Sequence, residues 1–133
     1  MNPLFHEIFQ KTRNLSKELN NTVKEFDLFA AQWSVLYIVQ QNGEMTLTQI
    51  WKYLNVEAPT ISRTVQRLIE LGWLTEKFGE DRREKMVSLS DDAKKKFKAI
   101  EEAVINFESQ FLQHLSEEEQ SQLIMLLKKM KKG

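Results

Sequence analysis

The chain has 133 residues, close to the length of one domain, and its 19 Lys and Arg balance 19 Asp and Glu for a formal net charge of +0. Hydrophobic residues at 41% and charged residues at 29% exclude a disordered tail or a wholly basic arm. The absence of cysteine excludes disulfides, a thiolate metal site and a cysteine redox switch. With 4 Gly and 2 Pro, breakers are scarce, so few loops and long helices are expected. The start, MNPLFHEIFQK, lacks the basic-then-apolar pattern of a signal peptide. Nowhere do about 18 apolar residues run together, so no membrane span is expected. The class expected from these features is a soluble, cytoplasmic, helix-rich single unit.

The first predicted helix covers Pro3 to Phe26, with Leu4, Phe5, Ile8, Phe9, Leu15, Leu19, Val23 and Phe26 on one face. A second runs from Leu28 to Gln41 and is apolar almost all round, which predicts burial on most sides. Asn42-Gly43 ends it. Thr46-Leu47-Thr48-Gln49 reads as a capping box opening a short helix, with Leu47, Ile50, Trp51 and Leu54 on one face. After the break at Asn55-Val56, a fourth helix starts near Glu57–Pro59 and ends at Gly72. Ile61, Val65, Leu68 and Ile69 form its inner stripe.

The period then changes. Trp73–Phe78 and Lys85–Leu89 read as two short strands joined by a charged loop, Gly79 to Glu84. Ser90 caps a fifth helix whose stripe is Ala93, Phe97, Ile100, Val104, Phe107, Phe111 and Leu115, close to a heptad seam. A second capping box, Ser116 to Glu119, opens the last helix, with Leu123, Leu126, Leu127 and Met130 expected inward. Lys128, Lys129, Lys131 and Lys132 sit at its negative C-terminal end.

A short helix, a tight turn, a second helix and a hairpin, in that order, form a winged helix-turn-helix. The fold class expected is therefore mainly α with a small β-hairpin wing. The second helix of such a pair enters the DNA major groove. Its outer face here is Thr60, Ser62, Arg63, Thr64, Gln66 and Arg67, with no acid between Ala58 and Ile69. Arg pairs with guanine edges, Gln with adenine, and Ser or Thr with bases or phosphates. On the wing, Arg82, Arg83 and Lys85 can reach a minor groove or phosphates. A polar helix face is commonly only a solvated one; the order of elements is what points to double-stranded DNA. The competing reading is a winged-helix module that binds protein and not DNA. Apolar or acidic outer faces would favour it, and here those faces carry Arg63, Arg67, Arg82 and Arg83.

The stripes of the first helix and the last two exceed what a domain of this size buries alone. A homodimer accounts for the surplus, and suits the reading of two half-sites; the alternative is that the three helices simply pack on the central domain.

The chain resembles the MarR family of bacterial winged-helix transcription regulators. The residues that carry the resemblance are Gln32-Trp33-Ser34-Val35-Leu36, Thr60-Ile61-Ser62-Arg63-Thr64-Val65-Gln66-Arg67-Leu68, Gly72-Trp73-Leu74, Asp81-Arg82-Arg83 and Val87-Ser88-Leu89-Ser90. It covers nearly the whole chain, residues 1–133, as one unit. It implies dimerisation helices over 1–27 and 91–133 around a DNA-binding region over 28–90. It further implies a homodimer on a pseudo-palindromic operator, usually acting as a repressor. Ser62, Arg63, Gln66 and Arg67 become groove residues, Thr60 and Thr64 phosphate contacts, and Arg82 or Arg83 the wing anchor. Asp81 would orient a wing arginine through an ion pair. The resemblance also implies a site for small aromatic or lipophilic effectors, for which Phe9, Trp33 and Tyr37 are the nearby aromatics. An aromatic cluster at helical spacing is more often core.

No catalytic or cofactor motif appears: there is no Gly-rich phosphate loop and no nucleophile motif. Glu117-Glu118-Glu119 serve a first helical turn. His6 and His114, the 2 histidines, have no ligand spacing within one helix, so neither a metal nor a cofactor is expected.

Overall fold

The computed structural model describes residues 1–81 and 83–133. In chain order, the elements are α1 (Pro3–Val23), a 3-10 turn (Lys24–Phe26), α2 (Ala30–Asn42), β1 (Met45–Thr46), α3 (Leu47–Leu54), α4 (Ala58–Glu70), β2 (Leu74–Phe78), β3 (Lys85–Leu89), α5 (Asp91–Phe111) and α6 (Glu117–Lys129). The expected mainly α fold with a hairpin wing is the one observed.

Local chemistry accounts for the element ends. The Asn2 side chain caps α1 by accepting the Leu4 N–H at 2.9 Å, and Pro3 sits in the first turn where its missing donor costs nothing. The helix tightens to a 3-10 turn before Asp27 takes a left-handed conformation at φ 59, so α1 stops at Val23 and not at Phe26. The extended backbone of Phe29 delays α2 to Ala30, two residues after the expected start. Gln32 accepts the Phe29 N–H at 2.9 Å and is buried for that purpose. Asn20 accepts the Ala30 N–H at 2.7 Å, which ties α1 to the start of α2.

Both predicted capping boxes form. Thr46 Oγ1 accepts from Gln49 at 3.1 Å while Gln49 accepts from Thr46 at 2.9 Å. Ser116 and Glu119 repeat the pattern at 3.1 and 2.9 Å. At the end of α4, Gly72 adopts φ 84; its N–H donates to Ile69 O and the Trp73 N–H to Leu68 O, a Schellman closure. A side chain at Gly72 would meet no atom within 4 Å, so the positive φ and not crowding calls for glycine there.

The sheet has the order β1-β3-β2 and is antiparallel throughout. Leu74 faces Leu89 and Phe78 faces Lys85 across the hairpin. β1, whose Met45 pairs with Val87, was not expected from the sequence. A strand of 2 residues is too short to show a period of two. Ser90 joins the sheet end to α4 and α5: its hydroxyl donates to Gly72 O at 2.7 Å and accepts the Ala93 N–H at 3.0 Å.

The core gathers Leu36 and Val39 of α2, Ile50 of α3, Ile61, Val65 and Leu68 of α4, Leu74, Val87 and Leu89 of the hairpin, and Ala93, Phe97, Ile100 and Val104 of α5. Two expectations about the terminal helices need correction. The first half of the α5 seam is not surplus: Phe97, Ile100 and Val104 are buried within the chain because they close the core over α2. The last helix has no inward face in one chain. Leu123, Leu126 and Leu127 are exposed by 46%, 55% and 47%, and Met130 is exposed just past the helix end, because among the described residues no element covers them. Leu4, Phe5, Phe9 and Leu15 of α1 are likewise exposed. Among the described residues no helix is long and apolar enough to cross a membrane.

Candidate nucleic-acid interface

Helix α4 is clamped from below by Ile61, Val65 and Leu68, all buried. Their spacing turns Ser62, Arg63, Gln66 and Arg67 outward, where all four are exposed, as is Thr60. Thr64 sits at the edge of this face, half-buried, and its hydroxyl donates to Thr60 O at 3.0 Å. That hydroxyl keeps its acceptor capacity, while its proton is engaged within the helix. Arg63 reaches back to Thr60 Oγ1 at 3.5 Å, the outer limit of a hydrogen bond. Arg67 meets Glu70 at 3.4 Å with both side chains more than half exposed, a weak pair that a better anion can displace.

The wing is the hairpin formed by β2 and β3. Its loop is held by its own backbone: Gly79 donates to Glu84 O and Glu84 to Asp81 O, both at 2.9 Å. Asp81 Oδ1 accepts the Arg83 backbone N–H at 3.0 Å, so Asp81 shapes the turn. Arg83 is exposed. Arg82, and with it any ion pair between Asp81 and Arg82, lies outside the described residues. Lys85 lies 3.8 Å from Glu76 on the neighbouring strand, and Lys77 pairs with Glu44 at 2.9 Å. The wing therefore carries cations partly matched by carboxylates.

Phe78 was missed by sequence reasoning as a surface feature. It shares the strand face of the buried Leu74, but beyond the last core residue, and is 64% exposed. Strand alternation marked its face; only the extent of the core could mark its exposure.

The three aromatics expected around an effector do not converge. Trp33 and Tyr37 do, with ring centroids 6.0 Å apart, and Trp33 stacks on Phe97 at 5.1 Å. They line two adjoining clefts of about 330 and 230 Å³ between α2 and α5. Phe9 lines neither and lies exposed toward the free end of α1, three helical turns before the part of α1 that meets the core. Tyr53, Phe107 and Glu108 line the larger cleft and were not anticipated there. The heptad reading of α5 had assigned Phe107 to a dimer seam. The seven-residue spacing of Glu101 and Glu108, beside Val104, was the available signal. Glu108 keeps solvent access at the cleft rim, and the apolar wall behind it raises its carboxyl above the ordinary carboxylate value. His6 and His114 are both exposed, and among the described residues no group of three His, Cys, Asp or Glu is placed to hold a metal.

A family model described as a winged helix DNA-binding domain matches residues 28–93. The HTH-type transcriptional regulator YwoH of Bacillus subtilis, itself uncharacterised, is 44% identical over 116 residues, which is 87% of this chain and 85% of YwoH. The crystal structure of the transcriptional regulator SlyA superposes with a TM-score of 0.87 at 26% identity, covering 96% of this chain and 90% of SlyA. A mutant MarR from E. coli, crystallised in complex with operator DNA, superposes with a TM-score of 0.90 at 24% identity over 98% of this chain and 95% of its own. These relatives are regulators and not enzymes. The polar α4 face, the wing behind it and the enclosing helices are thus those of a DNA-binding transcriptional regulator, and the chain belongs to the MarR family of winged helix-turn-helix regulators.

Proposed function

We propose that the chain works as a homodimeric repressor on a pseudo-palindromic operator, relieved by a small aromatic or lipophilic effector. One observation carries the dimer: α6 has no buried residue, although Leu123, Leu126, Leu127 and the exposed α1 residues Leu4, Phe5 and Phe9 are apolar. Exposed apolar stripes of this length need a partner in water. A second copy supplies matching helices at no further cost in sequence. The dimerisation helices then lie within 1–27 and 91–133, around the DNA-binding region 28–90.

In this reading each protomer places α4 in a major groove. Ser62, Arg63, Gln66 and Arg67 meet base edges; Thr60 meets a phosphate, and Thr64 does so once its hydroxyl turns away from Thr60 O. The wing sets Arg82 or Arg83, with Lys85, against the minor groove or backbone. Support for the DNA partner comes from the exposed cations of α4 and from MarR itself, whose likeness here includes a complex with operator DNA. The effector would enter the clefts at Trp33 and Tyr37, next to α5, where it can bias the angle between the dimer helices and the DNA-reading helices.

The test is selection of bound sequences from random duplex DNA. An inverted repeat with half-site centres about 10 base pairs, or a multiple of that, apart is the expected result. A single unrepeated half-site contradicts the dimer, and no enrichment at all hands the chain to the protein-binding reading.

A further inference from the structure

Taking as its basis the effector reading just proposed, the structure points to the charge of that effector. The two clefts share Trp33, Tyr37, Val104 and Glu108. The larger adds the rings of Tyr53 and Phe107, and the smaller adds Glu101. Among the described residues no Lys, Arg or His lines either one. We propose that this site takes a lipophilic cation, a protonated amine or quaternary ammonium on an aromatic or aliphatic body, in preference to a carboxylate or phenolate.

Charge complementarity favours the cation. A carboxylate entering the cleft would meet Glu101 and Glu108 with no cation to offset them. Donors for an anion are confined to neutral groups, the Trp33 indole N–H and the Tyr37 and Tyr53 hydroxyls, since the Ser34 hydroxyl already donates to Ala30 O at 3.1 Å and the walls are helices whose N–H groups are used. A cation meets the reverse situation. Among the described residues neither Glu101 nor Glu108 has an ion-pair partner. The faces of aromatic rings attract ammonium groups, and Trp33 is held in place by its stack on Phe97. The raised carboxyl of Glu108 fits this arrangement: its charged form lacks compensation until a cation arrives.

The probes are 2-naphthylmethylammonium and 2-naphthoate, which share a ring system and differ in charge. Each is titrated calorimetrically into the full chain at neutral pH, and into the Glu108→Gln and Tyr37→Ala variants, with circular dichroism to verify that both fold. The ammonium should bind roughly tenfold or more tightly than the naphthoate. Glu108→Gln should weaken the ammonium about three- to tenfold and leave the naphthoate unweakened. Naphthoate binding that equals or exceeds the ammonium and is lost in Tyr37→Ala overturns the charge preference while the effector site stands. Ammonium binding unchanged in both variants overturns the site assigned to it. Millimolar concentrations of both probes without heat or protection against thermal unfolding overturn the effector reading and this inference together.

Discussion

Helices α4 and α6 each have 13 residues, and each carries an apolar stripe beside a charged face. Yet Ile61, Val65 and Leu68 of α4 are buried, while no residue of α6 is. The difference lies in what each helix meets. α4 lies against α2, α3 and β2 within a closed core. α6 follows a turn at Leu112–Leu115 and reaches nothing comparable. An amphipathic stripe therefore identifies which face seeks cover and leaves open what covers it. In the winged region the cover is the chain itself. For the terminal helices we assign it to a second copy.

Breaking the closed region should cost the most. Trp33 is 5% exposed and stacked on Phe97, so Trp33→Ala should lose about 3–5 kcal/mol of stability in urea unfolding. A loss below about 1 kcal/mol would mean that the core does not close over this ring. The open region should respond differently. Leu126→Asp leaves no cavity in the single chain, but it puts a charge into the proposed interface. Dimer dissociation should become about 30-fold or more easier, the scale of an interface hot spot of about 2 kcal/mol. Comparing sedimentation at several loading concentrations would reveal this, and an unshifted dimer would place the interface elsewhere.

The DNA-reading elements sharpen the contrast further. Whichever of Arg63 and Arg67 meets a base should, as Ala, cost about 1–3 kcal/mol on the operator and relax preference at one position per half-site. Arg83→Ala should weaken operator and scrambled duplex alike, with a salt slope shallower by about one counterion if Arg83 holds a phosphate. Equal losses on both duplexes for every variant would move base readout to Ser62, Gln66 or DNA shape. The smallest effect belongs to Glu70→Gln, which releases Arg67 from an exposed pair and should change stability by no more than about 0.5 kcal/mol. Unfolding midpoints that differ by much more would show that the pair holds the end of α4.

Much of the fold was legible because its signals are local. Thr46 with Gln49, Ser116 with Glu119, and Gly72 after α4 each encode a helix end within a few residues. What stayed hidden depends on distant parts of the chain. The strand at Met45 exists only because β3 offers an edge. Phe97, Ile100 and Val104 share a heptad seam with Phe107 and Phe111, and sequence spacing does not say that the first three turn into the core. Along α4 the same spacing that buries Ile61, Val65 and Leu68 turns Ser62, Arg63, Gln66 and Arg67 outward, so this face was readable. The cleft was not, because it joins Trp33 and Tyr37 of α2 to Glu108 of α5, more than seventy residues later.

The central claim is that the exposed faces of α1 and α6 are one half of an interface between two copies of this chain. Sedimentation equilibrium of the full chain, alone and with its selected operator duplex, tests it most directly. The account predicts a particle of twice the 15.7 kDa chain mass at micromolar concentration, and two chains on each duplex. A chain that stays monomeric at tens of micromolar, and binds DNA as a monomer, would contradict it.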